Sequence, residues 1–150
     1  MPRALYSYLP ALNLYLIGDY SRAVANGVDA IQPSDVVLDL ARELWLKGNV
    51  AFEGAIFSTF YGRMVALSYD IGPGNYLWCF LDTPLALCRE RVTIRNRGKK
   101  FTSTDDTVGD KFYTGLRQAS TLAAMGEDVR WLRHETAYEE LLGLIKERLP

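Results

Sequence analysis

The stretch that most constrains this chain is Tyr76-Leu77-Trp78-Cys79-Phe80-Leu81, followed by Asp82-Thr83-Pro84. A continuous apolar run of this length, with no alternation, fits a strand covered on both faces, as in a parallel sheet. Thr83 suits a helix N-cap. Pro84 suits the first helical position, where the missing N–H is not needed. The helix that follows puts Leu87, Cys88 and Val92 inward and its arginines elsewhere. The rest of the chain repeats this unit. Leu14–Ile17, Asn49–Phe52 and Val129–Leu132 are further short apolar runs. Residues 34–47, 60–69, 107–125 and 136–149 carry helical spacing, stopped at Gly48, Gly72-Pro73-Gly74 and Gly126. Residues 3–12 read as the end of an earlier helix. The pattern predicts a single α/β domain over 1–150, a three-layer parallel sheet with helices on both faces.

Composition narrows the function. At 49% hydrophobic and 23% charged residues, the chain is an ordinary globular one, and its net charge of −1 argues against a basic nucleic-acid coat. No apolar run approaches the ~18 residues needed to cross a bilayer. Residues 4–17 are interrupted by Pro10 and Asn13, and no small-residue cleavage site follows, so a cytoplasmic protein without a signal peptide is expected. Cys79 and Cys88 are the only cysteines and are expected to be reduced and largely buried. His134 is the only histidine and has no cysteine near it in sequence. A surface histidine is expected there, not a zinc ligand or a triad base.

Parallel sheets place functional groups at the carboxyl ends of their strands. Asp19, Glu53 and Asp82 fall at those ends, and Asp82 is expected only to make turn or cap hydrogen bonds. Residues 89–100 hold Arg89, Arg91, Arg95, Arg97, Lys99 and Lys100 against the single acid Glu90. That segment carries +5, and with −1 overall the remainder carries −6. Arg91 and Arg95 share a helix face, where like charges repel by a few tenths of a kcal/mol. An anion between them reverses the sign, and arginine's planar fork suits phosphate. A solvated basic face is the bland alternative.

Phe80-Leu-Asp-Thr-Pro84 followed by Cys88, Arg91, Arg95 and Arg97 resembles the strand-to-lid segment of P-loop deoxynucleoside kinases and related nucleotide kinases. Cys-x-x-Arg-x-x-x-Arg-x-Arg is the specific part. The resemblance is strong over 80–97 and weaker over the rest of 14–150. It implies a P-loop-kinase-like fold with a lid at about 88–105 and phosphoryl transfer from ATP, with Mg2+, to a nucleoside, a nucleoside monophosphate or a modified-base hydroxyl. It implies Arg91, Arg95 and Arg97 as a phosphate clamp, with Arg95 catalytic. It implies Asp19 as base for the acceptor hydroxyl and Glu53 beside substrate and metal. Tyr20 and Phe57 are candidate walls of the acceptor pocket, with Phe60, Tyr61 and Trp78 behind them. Two positions depart from the family: Gly54 stands where an arginine usually follows the glutamate, and Lys99-Lys100 stand where acids are frequent.

The phosphate loop itself is missing from these 150 residues, since no Gly-x-x-x-x-Gly-Lys-Ser/Thr occurs. The expectation is a chain that begins late relative to the family, after the first strand and the loop. Two alternatives stay open: a family member that binds nucleotide or nucleic acid without catalysis, and an unrelated α/β binding protein whose basic helix meets a partner. Loss of an interior strand should leave exposed edges. A chain of this length should then show poor solubility, homodimerisation or a replacement strand.

Overall fold

The structure is a computed structural model, and it describes residues 5–18, 20, 27–54, 61–97 and 105–148. The chain divides into two compact units, one running to Asn75 and the other Tyr76–Arg148.

The first unit begins with strand β1, Tyr6–Leu9, and a single 3-10 turn, Pro10–Leu12. Strand β2 follows at Leu14–Ile17. The expected helix end over 3–12 is therefore a hairpin. Pro10 breaks the strand, and Asn13 turns the chain at φ 42°, its N–H donating to the Pro10 carbonyl at 3.1 Å. Tyr8 donates its hydroxyl to Asn13 Oδ1, and the Tyr8 and Tyr15 rings lie 4.6 Å apart across the pair. Cross-strand aromatic contacts of this kind favour strand over helix. β2 then continues through a crossover into β3, Asn49–Phe52, in parallel register from Leu14↔Asn49 to Ile17↔Phe52.

The crossover is helix α1, Asp35–Trp45. It buries Val37, Leu38, Ala41 and Leu44, one stripe of the predicted helix. Ile17, at the carboxyl end of β2, is also fully buried. After β3, helix α2 spans Tyr61–Ile71 and ends at Gly72, whose φ of +100° suits a residue without a side chain. Arg42 of α1 grips Asp70 of α2 through Nε at 3.0 Å and Nη2 at 2.9 Å, and Arg63 of α2 returns to Asp35 at 2.5 Å.

The second unit opens with β4, Leu77–Asp82, continues through α3, Leu85–Asn96, and α4, Asp105–Ala124, and returns as β5, Asp128–Arg133. β4 and β5 are parallel, from Leu77↔Asp128 to Asp82↔Arg133. Helix α4 closes with Gly126 at φ +84°. The Gly126 N–H reaches the Ala123 carbonyl and the Glu127 N–H the Leu122 carbonyl, so the last carbonyls of the helix are satisfied. Helix α5, Ala137–Arg148, ends the unit. Trp78, Val108, Ala119, Leu122 and Leu132 form its core, and Trp78 Nε1 donates to Glu127 at 2.9 Å.

The α/β class and the four predicted strands are present. Among the described residues, however, the strands form two sheets, β1-β2-β3 and β4-β5, and β1 runs antiparallel, so the first sheet is mixed. β4 is not covered on both faces as its composition suggests: Leu81 is 57% exposed and Cys79 is exposed too. Cys88 is half-buried, so the pair of buried thiols is not found either. The N-cap of α3 is Pro84, at ψ 140°, whose carbonyl accepts from the Cys88 N–H. Thr83 lies one residue outside and is buried. Among the described residues, no helix is long and apolar enough to cross a membrane.

Candidate active site

The carboxyl ends of β2 and β3 meet a third segment. After β2 the chain returns at Gly27 and makes a 3-10 turn over Val28–Ala30. The Val28 N–H donates to the Glu53 carbonyl at 2.9 Å, pinning this turn to the residue that follows β3. Val28 is fully buried beneath it.

Three glycines let these segments close on one another. Gly18 has φ +127°, and a Cβ there would lie 2.9 Å from the Gly27 backbone and 2.9 Å from Cε2 of the Tyr20 ring. Gly27 has φ +52°, and a Cβ there would overlap the Glu53 carboxylate and its carbonyl oxygen. A Cβ on Gly54 would stand 2.5 Å from Asp29 Oδ1 and 2.9 Å from a Val28 methyl. The two carboxylates therefore cross, Glu53 lying on Gly27 and Asp29 on Gly54. Only glycine leaves room for both.

The electrostatics follow from this placement. Partial burial of the Glu53 carboxyl, and then the like charge of Asp29, push it above the ordinary carboxylate range. Tyr20 is pushed up to about 12 by burial first and then by the Glu53 charge, with Asp29 adding to the rise. The nearby Glu53 backbone N–H works the other way. The Tyr20 hydroxyl oxygen is closed off from solvent and completes no hydrogen bond among the described residues.

In the second unit, Arg91 and Arg95 project from the exposed side of α3 and Arg97 from its C-cap, while Leu87, Cys88 and Val92 are half-buried. No carboxylate among the described residues pairs with these three arginines. Arg95 lies in the last turn, where a cation also faces the negative end of the helix dipole.

The structure thus brings Tyr20 and Glu53 together and sets Arg91, Arg95 and Arg97 along the second half of one helix and its C-cap. Asp19, Phe57 and Phe60 lie outside the described residues. Trp78 packs in the core of the second unit and is no pocket wall. Asp82 offers its carbonyl to His134 Nδ1 at 2.9 Å, a role in the framework. His134 is accordingly held between Asp82 and Glu135, not free on the surface. Sequence reasoning missed Asp29. The available signal was Gly27-Val28-Asp29 itself, a glycine opening a turn ahead of an acid.

Comparison with known proteins gives this arrangement a context. A family model described as 5-hmdU DNA kinase matches residues 2–120. The chain is 36% identical over 138 residues to the 5-hmdU DNA kinase of Pseudomonas phage M6, covering 87% of this chain and 72% of that protein. It is 31% identical over 103 residues to 5-hmdU DNA kinase 1 of Salmonella phage ViI, covering 66% of this chain and 46% of that protein. The class is therefore that of kinases. Within it, the chain belongs to the 5-hmdU DNA kinase family. No solved structure matches it.

Proposed function

We propose that this chain acts in moving the terminal phosphoryl group of ATP to the base hydroxyl of 5-hmdU in DNA. The acceptor is deoxyuridine with a hydroxymethyl group on its base, an uncharged alcohol. The observation that carries the reading is the reach of the family match. Residues 2–120 take in Tyr20, Asp29 and Glu53 together with the arginines of α3.

Phosphoryl transfer asks a protein mainly for positioning and charge stabilisation. In this reading Asp19 takes the hydroxyl proton as the alcohol oxygen attacks. Glu53 lies at the acceptor, and Tyr20 and Phe57 border the base. Arg91, Arg95 and Arg97 close on the migrating phosphoryl group, each able to hold two oxygens through a planar fork. The donor set fits Mg2+, which takes hard oxygens and is content with one or two carboxylates beside substrate phosphates. Glu53 is the protein ligand, and among the described residues no group of three or more acids, histidines or cysteines offers a closed cage. When bound, the ion neutralises charge on the nucleotide oxygens. No residue of these 150 is assigned to cradle the donor phosphates, because the glycine-lysine loop is not among them.

A P-loop-kinase-like fold is supported by the two parallel pairs, β2-β3 and β4-β5, each joined through helices. It is supported also by β3 and β4, each of which keeps one edge without a strand among the described residues. The lid reading of 88–105 rests on the α3 arginines.

The test is transfer of label from γ-labelled ATP, with Mg2+, to an oligonucleotide carrying one 5-hmdU, against the same strand with thymidine. Label on the first alone supports the proposal. The second reading is a non-catalytic binder of modified DNA. Selective binding of the 5-hmdU strand without transfer supports that one. Failure of both transfer and selective binding overturns both.

A further inference from the structure

Resting on the reading above that the chain acts on DNA, we infer that Tyr6, Tyr8 and Tyr15 form a stacking platform for unpaired bases that flank the acceptor nucleotide.

The three rings stand on one face of the β1–β2 hairpin. Tyr6 and Tyr8 are two apart on β1, so they project to the same side. Tyr15 lies directly opposite Tyr8. Its ring meets both of the others, 4.6 Å from Tyr8 with a tilt of 32° and 5.7 Å from Tyr6 at 71°. Tyr15 is half-buried in this cluster, whereas Tyr6 is 39% and Tyr8 44% exposed. The two outer rings therefore leave surface open to a flat ligand.

The platform is set in advance. The Tyr8 hydroxyl donates to Asn13 Oδ1 at 3.1 Å. Asn13 is itself fixed, since its carbonyl accepts from the Asn49 N–H at 2.9 Å and its side chain lies against Gly48, where a Cβ would come within 2.6 Å of Oδ1. A ring held in this way loses little freedom when a base lies on it.

The chemistry of the face suits a nucleic-acid strand. Its exposed side chains are aromatic, while Ser7 and the aliphatic Leu9 fall on the opposite face of β1. Stacking on aromatic rings tolerates any base, as flanking positions require. Lys47 stands close enough to Tyr6 and Tyr15 to interact electrostatically with both, so a cation borders the rings where the phosphates of a stacked strand would run. Its partner Glu43 is exposed, and an exposed pair of this kind holds little, so a phosphate can take the place of the carboxylate.

The platform also adjoins the acceptor site. In the antiparallel register Tyr6 is level with Ile17, the last residue of β2, and Tyr8 and Tyr15 lie about 7 Å further along the hairpin. From Ile17 the chain leads through Gly18 to Tyr20. A strand whose acceptor base enters beside Tyr20 passes Tyr6 first and the Tyr8–Tyr15 pair next. The family match over residues 2–120 includes both strands of the hairpin.

Fluorescence anisotropy on folded protein measures binding of a long single strand carrying one 5-hmdU, of the same strand with thymidine, and of the 5-hmdU duplex. The 5-hmdU mononucleotide, added as competitor, reports the acceptor site alone. Wild type should bind the long single strand about tenfold or more tighter than the mononucleotide and than the duplex. Tyr6→Leu and Tyr8→Leu should each weaken the long strand about tenfold, with either base at the acceptor position, and change mononucleotide competition by less than about twofold. Tyr8→Phe, which keeps the ring, should stay within about threefold of wild type. Unchanged long-strand affinity in both leucine variants, or a duplex bound as tightly as the single strand, overturns the inference. Self-association of the wild type that disappears in the leucine variants, with strand binding intact, assigns the face to a second copy and overturns it too. If the leucine variants do not fold, ultraviolet coupling of a strand bearing 5-iododeoxyuridine beside the 5-hmdU decides: attachment to Tyr6, Tyr8 or Tyr15 supports the platform, and attachment only elsewhere rejects it. A wild type that binds the thymidine and 5-hmdU strands alike, and loses both in the leucine variants, overturns the acceptor-site reading and leaves the platform standing. Binding of no strand overturns both.

Discussion

His134 Nδ1 lies 2.9 Å from the carbonyl oxygen of Asp82 and ties the carboxyl end of β5 to that of β4. A carbonyl only accepts, so Nδ1 carries a proton there, and the 3.1 Å approach of Nε2 to Glu135 is an ion pair only when the ring is protonated on both nitrogens. The contact extends the β4–β5 ladder by one bond beyond the register pair Asp82↔Arg133. His134→Ala is expected to lower stability by about 1 kcal/mol, the net worth of one such bond. Urea unfolding followed by tryptophan fluorescence measures it, and an unchanged midpoint would show that the strand ends hold without the imidazole.

Arg95 and Arg97 are both exposed at the end of α3. The double change to alanine should leave stability within about 0.5 kcal/mol, as surface substitutions do. It should weaken nucleotide binding about a hundredfold, through the loss of two charge-assisted contacts. Titration calorimetry with Mg-ATP on folded protein checks this. Equal affinity in wild type and variant rejects the phosphate clamp.

Glu53→Gln keeps the size of the side chain and removes its charge. Transfer of label to the 5-hmdU strand is expected to fall about a hundredfold, the usual scale for a charged group at the reacting centre. Far-UV circular dichroism should be unchanged, because the residue is exposed as a whole and its backbone carbonyl still receives the Val28 N–H. A variant that transfers at the wild-type rate removes Glu53 from the site.

Glu140 opens helix α5 by accepting from the Thr136 hydroxyl at 2.7 Å, from Arg133 Nε at 2.6 Å and from the Arg133 N–H at 3.1 Å. The Thr136 hydroxyl first and the Arg133 side chain second hold its carboxyl down at about 2. The folded value is below the unfolded one. The stabilisation is therefore complete above the ordinary value of 4.5 and is lost as pH falls toward about 2. Denaturation midpoints of wild type and Glu140→Gln should differ by a constant amount from pH 7 to 5.5 and converge toward pH 2. A gap that persists at pH 2 would assign the effect to packing, not charge.

Much of the framework was legible because it is written in local pattern. The runs at Leu14, Asn49, Leu77 and Val129 became strands, and the helical spacings between them became helices within a residue or two. What failed did so for long-range reasons. β1 depends on Tyr8 meeting Tyr15 and on Asn13 adopting a left-handed turn, and neither is visible as periodicity. The exposure of Leu81 depends on what packs over the face of β4 that it lies on, which the composition of β4 cannot report. Of the candidate site, Glu53 was marked by its place after a strand and Tyr20 by its aromatic ring. Asp29 was not, since it reaches Gly54 only through the return of the chain at Gly27, far from Glu53 in sequence.

The parallel pairing of β4 with β5 has a kinetic consequence. The register Leu77↔Asp128 to Asp82↔Arg133 closes a loop that contains all of α3 and α4. Long-range pairing of this kind is slow, because the loop entropy is lost before the contacts form. During synthesis, β4 must leave the ribosome and wait while the arginine helix and α4 are made, its Leu81 and Phe80 without their neighbours Leu132 and Trp131. The second unit is therefore the late-folding part of the chain, and a nascent chain stalled before Asp128 would expose β4 to chaperones or to aggregation.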